Sequence, residues 1–231
     1  MGEPKNPDTI IIQNNFYVSG LREIDIWNYY QKNKILLLNQ TRSRELIFFI
    51  ATDINKNVVV RKLKDNSLIF LTLSNFDQYI TGRSLSIHSC MKKVEEFGII
   101  DIDTSDLYKA KAATYDVVNT MDRAPFVKDI KVRFTGKDSF HVICYFKRSL
   151  YIDKARILMR DFLKESHLSK IYDVEYKQSG DKVNLDLAPN KYRGGFITLG
   201  SLSTLGLKCM EVNLKFIRSF NKQMAVIETI K

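Results

Sequence analysis

Cysteine is scarce in this 231-residue chain, and its three positions, Cys90, Cys144 and Cys209, lie far apart. They can build neither a disulfide framework nor a CxxC zinc module, and read as core thiols. Proline is nearly as scarce, at 4 residues against 10 glycines, and the two never gather into a linker. No repeat or low-complexity tract divides the sequence, which excludes tethered, separately folding domains and favours one compact unit. No stretch approaches the run of about 18 apolar residues that a membrane span needs. The start, Met1-Gly2-Glu3-Pro4-Lys5-Asn6, lacks a signal-peptide core. A soluble cytoplasmic chain with no membrane partner is therefore expected.

What is abundant points elsewhere. Hydrophobic residues make up 45% of the chain, enough for a sizeable core. Lys and Arg total 36 against 26 Asp and Glu, a net charge of +10, which favours an anionic partner such as nucleic acid, nucleotide or acidic membrane surface. The basic residues are spread along the chain, so a folded cationic surface is expected rather than a basic arm.

Periodicity gives the order of elements. Residues 24–33 have helical spacing, with Ile24, Trp27, Tyr30 and Ile26 forming an apolar face. Residues 45–52 and 58–63 read as a hairpin around Asp53-Ile54-Asn55-Lys56-Asn57, and residues 68–73 as a strand or short helix. Two further strands are expected at 87–91 and 97–102. A helix over 106–121, capped by Thr104 or Ser105, turns Leu107, Ala110, Ala113, Val117 and Val118 to one side. A second hairpin follows, with strands 130–134 and 140–146 around Thr135-Gly136-Lys137-Asp138-Ser139, then a basic amphipathic helix over 153–163. Val183-Asn184-Leu185-Asp186-Leu187 is a last strong strand, and a closing strand and helix are expected after Cys209. The pattern is α/β, of α+β character, in a single domain over 1–231 whose two lobes, about 1–90 and 91–231, divide near 83–96.

The candidate chemistry lies on the strands. In Phe97-Gly98-Ile99-Ile100-Asp101-Ile102-Asp103 the strand period of two sets both aspartates on one face and Ile100 with Ile102 on the other. Two such carboxylates repel, unless a hard cation such as Mg²⁺ or Mn²⁺ supplies the opposing charge. The residues alone leave two readings open, a metal site or a strand end running into a polar turn. His141, second in an apolar strand, is either a satisfied core histidine or a phosphate donor brought near the aspartates. Asp186, framed by Leu185 and Leu187, is either a salt-bridge member or a third metal ligand. Three acids converging on two divalent ions would suit phosphoryl or nucleotidyl transfer.

The order of these motifs resembles the archaeo-eukaryotic primase superfamily. A hydrophobic strand ending in DxD is followed about 40 residues later by Thr135-Gly136-Lys137-Asp138-Ser139-Phe140-His141-Val142, and then by Leu185-Asp186. Arg44-Glu45-Leu46-Ile47-Phe48 with Val60-Arg61, Tyr29-Tyr30, and Gly200-Ser201-Leu202 are similar to further segments of primase small catalytic subunits. The likeness spans roughly residues 25–210. Ile87-His88-Ser89 is similar to a histidine-bearing strand of the related end-joining polymerase domains.

The resemblance implies a two-lobed primase-polymerase core with an RRM-like catalytic sheet and an N-terminal αβ lobe. It implies Asp101, Asp103 and Asp186 as ligands of two Mg²⁺ or Mn²⁺ ions and Arg44 beside the active site. His141, Lys137, Thr135, Lys191 and Arg193 would then bind a nucleoside triphosphate. The implied activity is that of a DNA primase making short RNA or DNA primers on single-stranded DNA, with a large primase subunit or accessory domain as a further partner and a nucleoid-associated location. A gap-filling or end-joining polymerase, or a non-catalytic nucleic-acid-binding subunit, are the alternatives. Tyr29, Tyr30 and Phe48 are candidates for stacking on bases. The sequence departs from the family pattern at Thr135, where Ser is usual, at Asp138-Ser139, at Ser203 in place of a histidine, and in lacking a Cys/His zinc insertion between His141 and Asp186.

Overall fold

In the computed structural model, residues 17–18, 20–53, 56–62, 65–176 and 182–229 are described. The N-terminal segment 1–6 and the hairpin turn at 54–55 lie outside them. A short ribbon, β1 (Tyr17–Val18) and β2 (Leu21–Arg22), leads into α1 (Glu23–Lys32) and α2 (Lys34–Thr41). The buried face of α1 is made by Glu23, Ile26 and Tyr30, whereas Ile24 and Trp27 are only partly covered.

The expected hairpin forms as β3 (Leu46–Asp53) and β4 (Lys56–Val60). The 68–73 segment is neither strand nor helix: only Leu68 makes an isolated bridge, to Lys62, and the next element is the single turn α3 (Phe76–Tyr79). β5 (Ser84–Cys90) then pairs with β3. One face of this sheet, with Leu46, Phe48, Leu85 and Ile87, closes a core against Ile26 and Tyr30.

From β6 (Val94–Asp103) onward the chain follows a β-α-β-β-α-β path: α4 (Leu107–Met121), β7 (Val127–Phe134), β8 (Phe140–Tyr151), α5 (Ile152–Glu165), the short α6 (Leu168–Ile171) and β9 (Asp173–Val174), then β10 (Asn184–Asp186). The resulting six-stranded sheet has the order β12-β7-β8-β6-β10-β9, where β12 is Met210–Glu211. Its inner four strands have the split βαβ arrangement of an RRM-like sheet. The cap of α4 is Asp106 rather than Thr104 or Ser105; its carboxylate accepts hydrogen bonds from the backbone N–H groups of Tyr108 and Lys109 at 2.8 and 3.1 Å. Ile100, Ile102, Val142 and Ile143 lie in one core with Ala113, Val117 and Met159 of the two long helices.

The chain crosses between the sheets three times, finally over residues 198–209 to β12, and the first two crossings lie side by side. Residues 91–93 lead from β5 to β6, and residues 187–194 lead back from β10 to β11 (Gly195–Ile197), which pairs with β5 as the fourth strand of the first sheet. These two crossings are stitched together: Met91 N–H donates to Gly194 O at 2.8 Å and Arg193 N–H to Met91 O at 3.0 Å. Gly194 is required there, since a Cβ would sit 2.1 Å from the Pro189 carbonyl oxygen. β11 is too short, and too rich in glycine before it, to announce itself as a strand. After β12 the chain forms two 3-10 turns, Leu214–Phe216 and Lys222–Ala225, in place of the expected closing helix. Among the described residues no helix is long and apolar enough to cross a membrane.

Candidate active site

Register decides what the strand-borne charges meet. Asp101 on β6 lies directly opposite His141 of β8 on one side and Asp186 of β10 on the other. β7 sets Arg133 opposite His141, and β12 sets Glu211 opposite Arg133. Directly paired residues share a face. Five polar side chains, Glu211, Arg133, His141, Asp101 and Asp186, therefore form one row across five strands. Asp103 stands two residues along on the same face, exposed at the strand end and opposite Asn184.

Two members of the row, Asp101 and His141, open on a cleft of about 280 Å³ between the two sheets; Asp186 and Asp103 are not among its lining residues. Asp101, His141, Thr135, Lys137 and Ser139 line one wall; Phe49, Ser86, His88, Phe196 and Ile197 line the other. A wider groove of about 690 Å³ lies beside α4, β7 and β12, and none of the residues singled out in the sequence lines it. The smaller cleft is the one that candidate site residues line.

Asp101 keeps 29% of its side-chain surface open, yet its Oδ1 is buried without a hydrogen-bond partner. Its pKa is raised to about 7, first by burial, then by Asp103 and Asp186. His141 is buried; its Nε2 lies 3.7 Å from Asp101 Oδ1, beyond hydrogen-bond range, and its Nδ1 has no partner. Burial, with His88 and Arg133 nearby, lowers its pKa to about 3, so the ring is neutral at pH 7. Asp186 Oδ1 accepts the Ala188 N–H at 2.8 Å, which orients the carboxylate as the chain leaves β10.

The turn between β7 and β8 is closed by Thr135 Oγ1 and Ser139 Oγ at 2.6 Å and by Thr135 N–H to Ser139 O at 3.1 Å. Gly136 has φ +90°, and the Ser203 hydroxyl donates to its carbonyl at 2.6 Å. Lys137 is exposed at the cleft rim. On the far wall His88 Nε2 is 2.8 Å from Ser86 Oγ, and its ring lies 4.8 Å from that of Phe49. Burial lowers its pKa to about 4.

Other expected residues stand further off. Arg44 makes a bidentate pair with the buried Glu95, at 2.6 and 2.8 Å, and lies over the rings of Phe97 and Phe196. It reaches the cleft only through Phe196. Arg193, with φ +62°, pairs with Glu45, and Lys191 is exposed on the same loop; neither lines the cleft. Tyr30 and Phe48 are buried in the first lobe and cannot stack on bases; the Tyr30 hydroxyl instead donates to Leu85 O and accepts the Leu202 N–H. Tyr29 OH donates to Gly200 O.

Two residues that sequence reasoning passed over shape the site. Asn190 is fully buried, and its amide accepts the Ile99 N–H at 2.7 Å and donates to Ile99 O, continuing the edge of β6 where β10 ends. Arg133 belongs to the central row; its signal was the alternation Lys131-Val132-Arg133-Phe134, which turns an arginine to the same face as its cross-strand histidine.

Among the described residues, no three His, Cys, Asp or Glu side chains are gathered into a cage for an ion. The fit to a hard divalent cation is one of donor type and charge: an orphaned buried oxygen on Asp101, two neighbouring carboxylates, and mutual repulsion that a cation would relieve. No protein-family model and no curated protein matches this chain. Among solved structures it is similar to the polymerase domain from Mycobacterium tuberculosis Ligase D, solved in complex with DNA. The identity is 11%, the match covers 90% of this chain and 88% of that one, and the TM-score is 0.76. At such identity the likeness is one of fold: the chain has the two-sheet α/β fold of that polymerase domain.

Proposed function

We propose that this protein is a metal-dependent, template-directed nucleotidyltransferase that makes short RNA or DNA primers on single-stranded DNA, as a DNA primase does. The observation that carries the reading is the single cross-strand row that sets Asp186 and His141 on either side of Asp101, with Asp101 and His141 lining a cleft of the size above, within a primase-polymerase fold. Asp101, Asp103 and Asp186 would hold Mg²⁺ or Mn²⁺. Bound there, the cation makes a primer hydroxyl more acidic and offsets charge on the phosphates. The neutral His141 can donate a hydrogen bond to a phosphate oxygen without repelling the cation. Lys137 at the rim adds a positive charge, and Thr135 and Ser139 hold the turn that presents it. The rings of Phe49 and Phe196 make the far side apolar.

A second reading, a gap-filling or end-joining polymerase, is favoured by one observation: His88 lines the same cleft as Asp101 and His141. One experiment separates the readings. The purified protein is incubated with primed or unprimed single-stranded DNA, labelled ribo- or deoxyribonucleotides, and Mg²⁺ or Mn²⁺. New strands on unprimed DNA identify a primase, and extension of primed DNA alone identifies the second reading. DNA binding without incorporation leaves a non-catalytic subunit. Asp101→Ala and Asp103→Ala should each abolish incorporation; near-normal synthesis by either would refute the metal assignment.

A further inference from the structure

Arg133 is a buried cation whose charge is poorly answered. Its side chain is 8% exposed, and its Nε has no hydrogen-bond partner. One terminal nitrogen reaches Gln40 Oε1 at 3.4 Å, and the carboxylate paired with it, Glu211, stands 4.0 Å away and is 43% exposed. Glu211 also answers Lys131, at 3.3 Å. Leaving a buried guanidinium this loosely compensated is costly, and a fold gains nothing from it unless an anion arrives.

The register says where the anion would lie. Arg133 is the cross-strand neighbour of His141, and the row continues to Asp101 and Asp186. Between Arg133 and Asp186 the row runs from a cation through a neutral ring to carboxylates, with Glu211 beyond Arg133 on the next strand. At 4.7–4.9 Å per strand Arg133 and Asp186 lie about 14 Å apart. A chain of phosphates laid along such a row meets opposite electrostatics at its two ends.

We infer that Arg133 is a positioning residue for the phosphates of a nucleoside triphosphate: its fixed charge draws the terminal phosphates past His141 and leaves the α-phosphate beside Asp101. This rests on the nucleotidyltransferase reading above. Arg133 is buried beside His141 and does not itself line the cleft, so it acts through space and its effect grows with the number of phosphates. Glu211 weakens it.

The test measures binding of adenosine triphosphate, diphosphate, monophosphate and adenosine by calorimetry, at fixed ionic strength in Mg²⁺. Arg133→Met should weaken triphosphate binding by about tenfold, diphosphate binding less, and adenosine binding not at all, while Arg133→Lys should keep most of the affinity. Glu211→Gln, on the half-exposed edge strand, should tighten triphosphate binding two- to fivefold, and it remains informative if the Arg133 variants misfold. Equal losses across the series, or unchanged triphosphate affinity in Glu211→Gln, would overturn the assignment of Arg133 alone. Failure of the parent protein to bind any of these nucleotides would overturn the nucleotidyltransferase reading with it.

Discussion

At Asp101 a carboxyl that ionises near pH 4 in an open chain titrates at about 7, because burial and two like charges oppose its ionisation. Between those values the folded state holds a proton that the unfolded state has released, so this residue's contribution to stability falls as pH rises from about 4 to about 7. Asparagine carries no such charge. Metal-free Asp101→Asn should therefore be more stable than the parent at pH 8, by about 2 kcal/mol once the open face of the carboxyl is allowed for, and the gap should close below about pH 4. His88 and His141, held neutral by burial, tilt the curve the other way as acid is added, but they cancel between parent and variant. Urea unfolding across pH measures the difference; Mn²⁺ should then stabilise the parent and not the variant. His141→Ala should raise the nucleotide KM and lower kcat in steady-state incorporation, with DNA binding unchanged. That the two aspartates share a face with their isoleucines behind them was legible from alternation alone. The direction of the shift was legible too, from two like charges on one face; its main cause was not, since burial comes first and Asp186, more than 80 residues away in sequence, adds to it.

Among the elements, the junction of β5 and β6 carries the relation between the two sheets. Glu95, buried, accepts both Arg44 terminal nitrogens and the Lys92 N–H at 2.6 Å. Arg44→Met strips that carboxylate of its cation and should cost about 3–5 kcal/mol in urea unfolding, with part recovered by adding Glu95→Gln. By contrast Asp106→Ala removes only the exposed cap of α4 and should cost about 1 kcal/mol. Strong periodic elements such as α4 and α5 were readable because one face of each is apolar at helical spacing. The cap was misplaced by one or two residues because Thr104, Ser105 and Asp106 are all competent, and only the backbone path selects among them. The pair Arg44–Glu45 reads in sequence as one polar step before a strand. In the fold its members part, Arg44 to Glu95 and Glu45 to Arg193, each binding a different crossing.

For the whole molecule, the +10 charge is spread along the chain and left over once the internal ion pairs are made. If the cleft holds a single-stranded template through three or four phosphates, affinity should fall about 20- to 50-fold between 50 and 200 mM salt, as a filter-binding or anisotropy titration would register. A flat salt response would remove the cationic surface from the template's path. The sequence by itself determined the strands and long helices, the face on which each charge lies, and the order of motifs, because these follow from periods of two and 3.6 within one segment. Tertiary structure decided the rest: that β10 and β8 flank β6 in the register joining Asp186, Asp101 and His141, that Arg133 extends that row, and that β11 returns to the first sheet. Register between distant strands is set by how their faces pack, and a slip of one residue would have turned every one of these side chains to the other face.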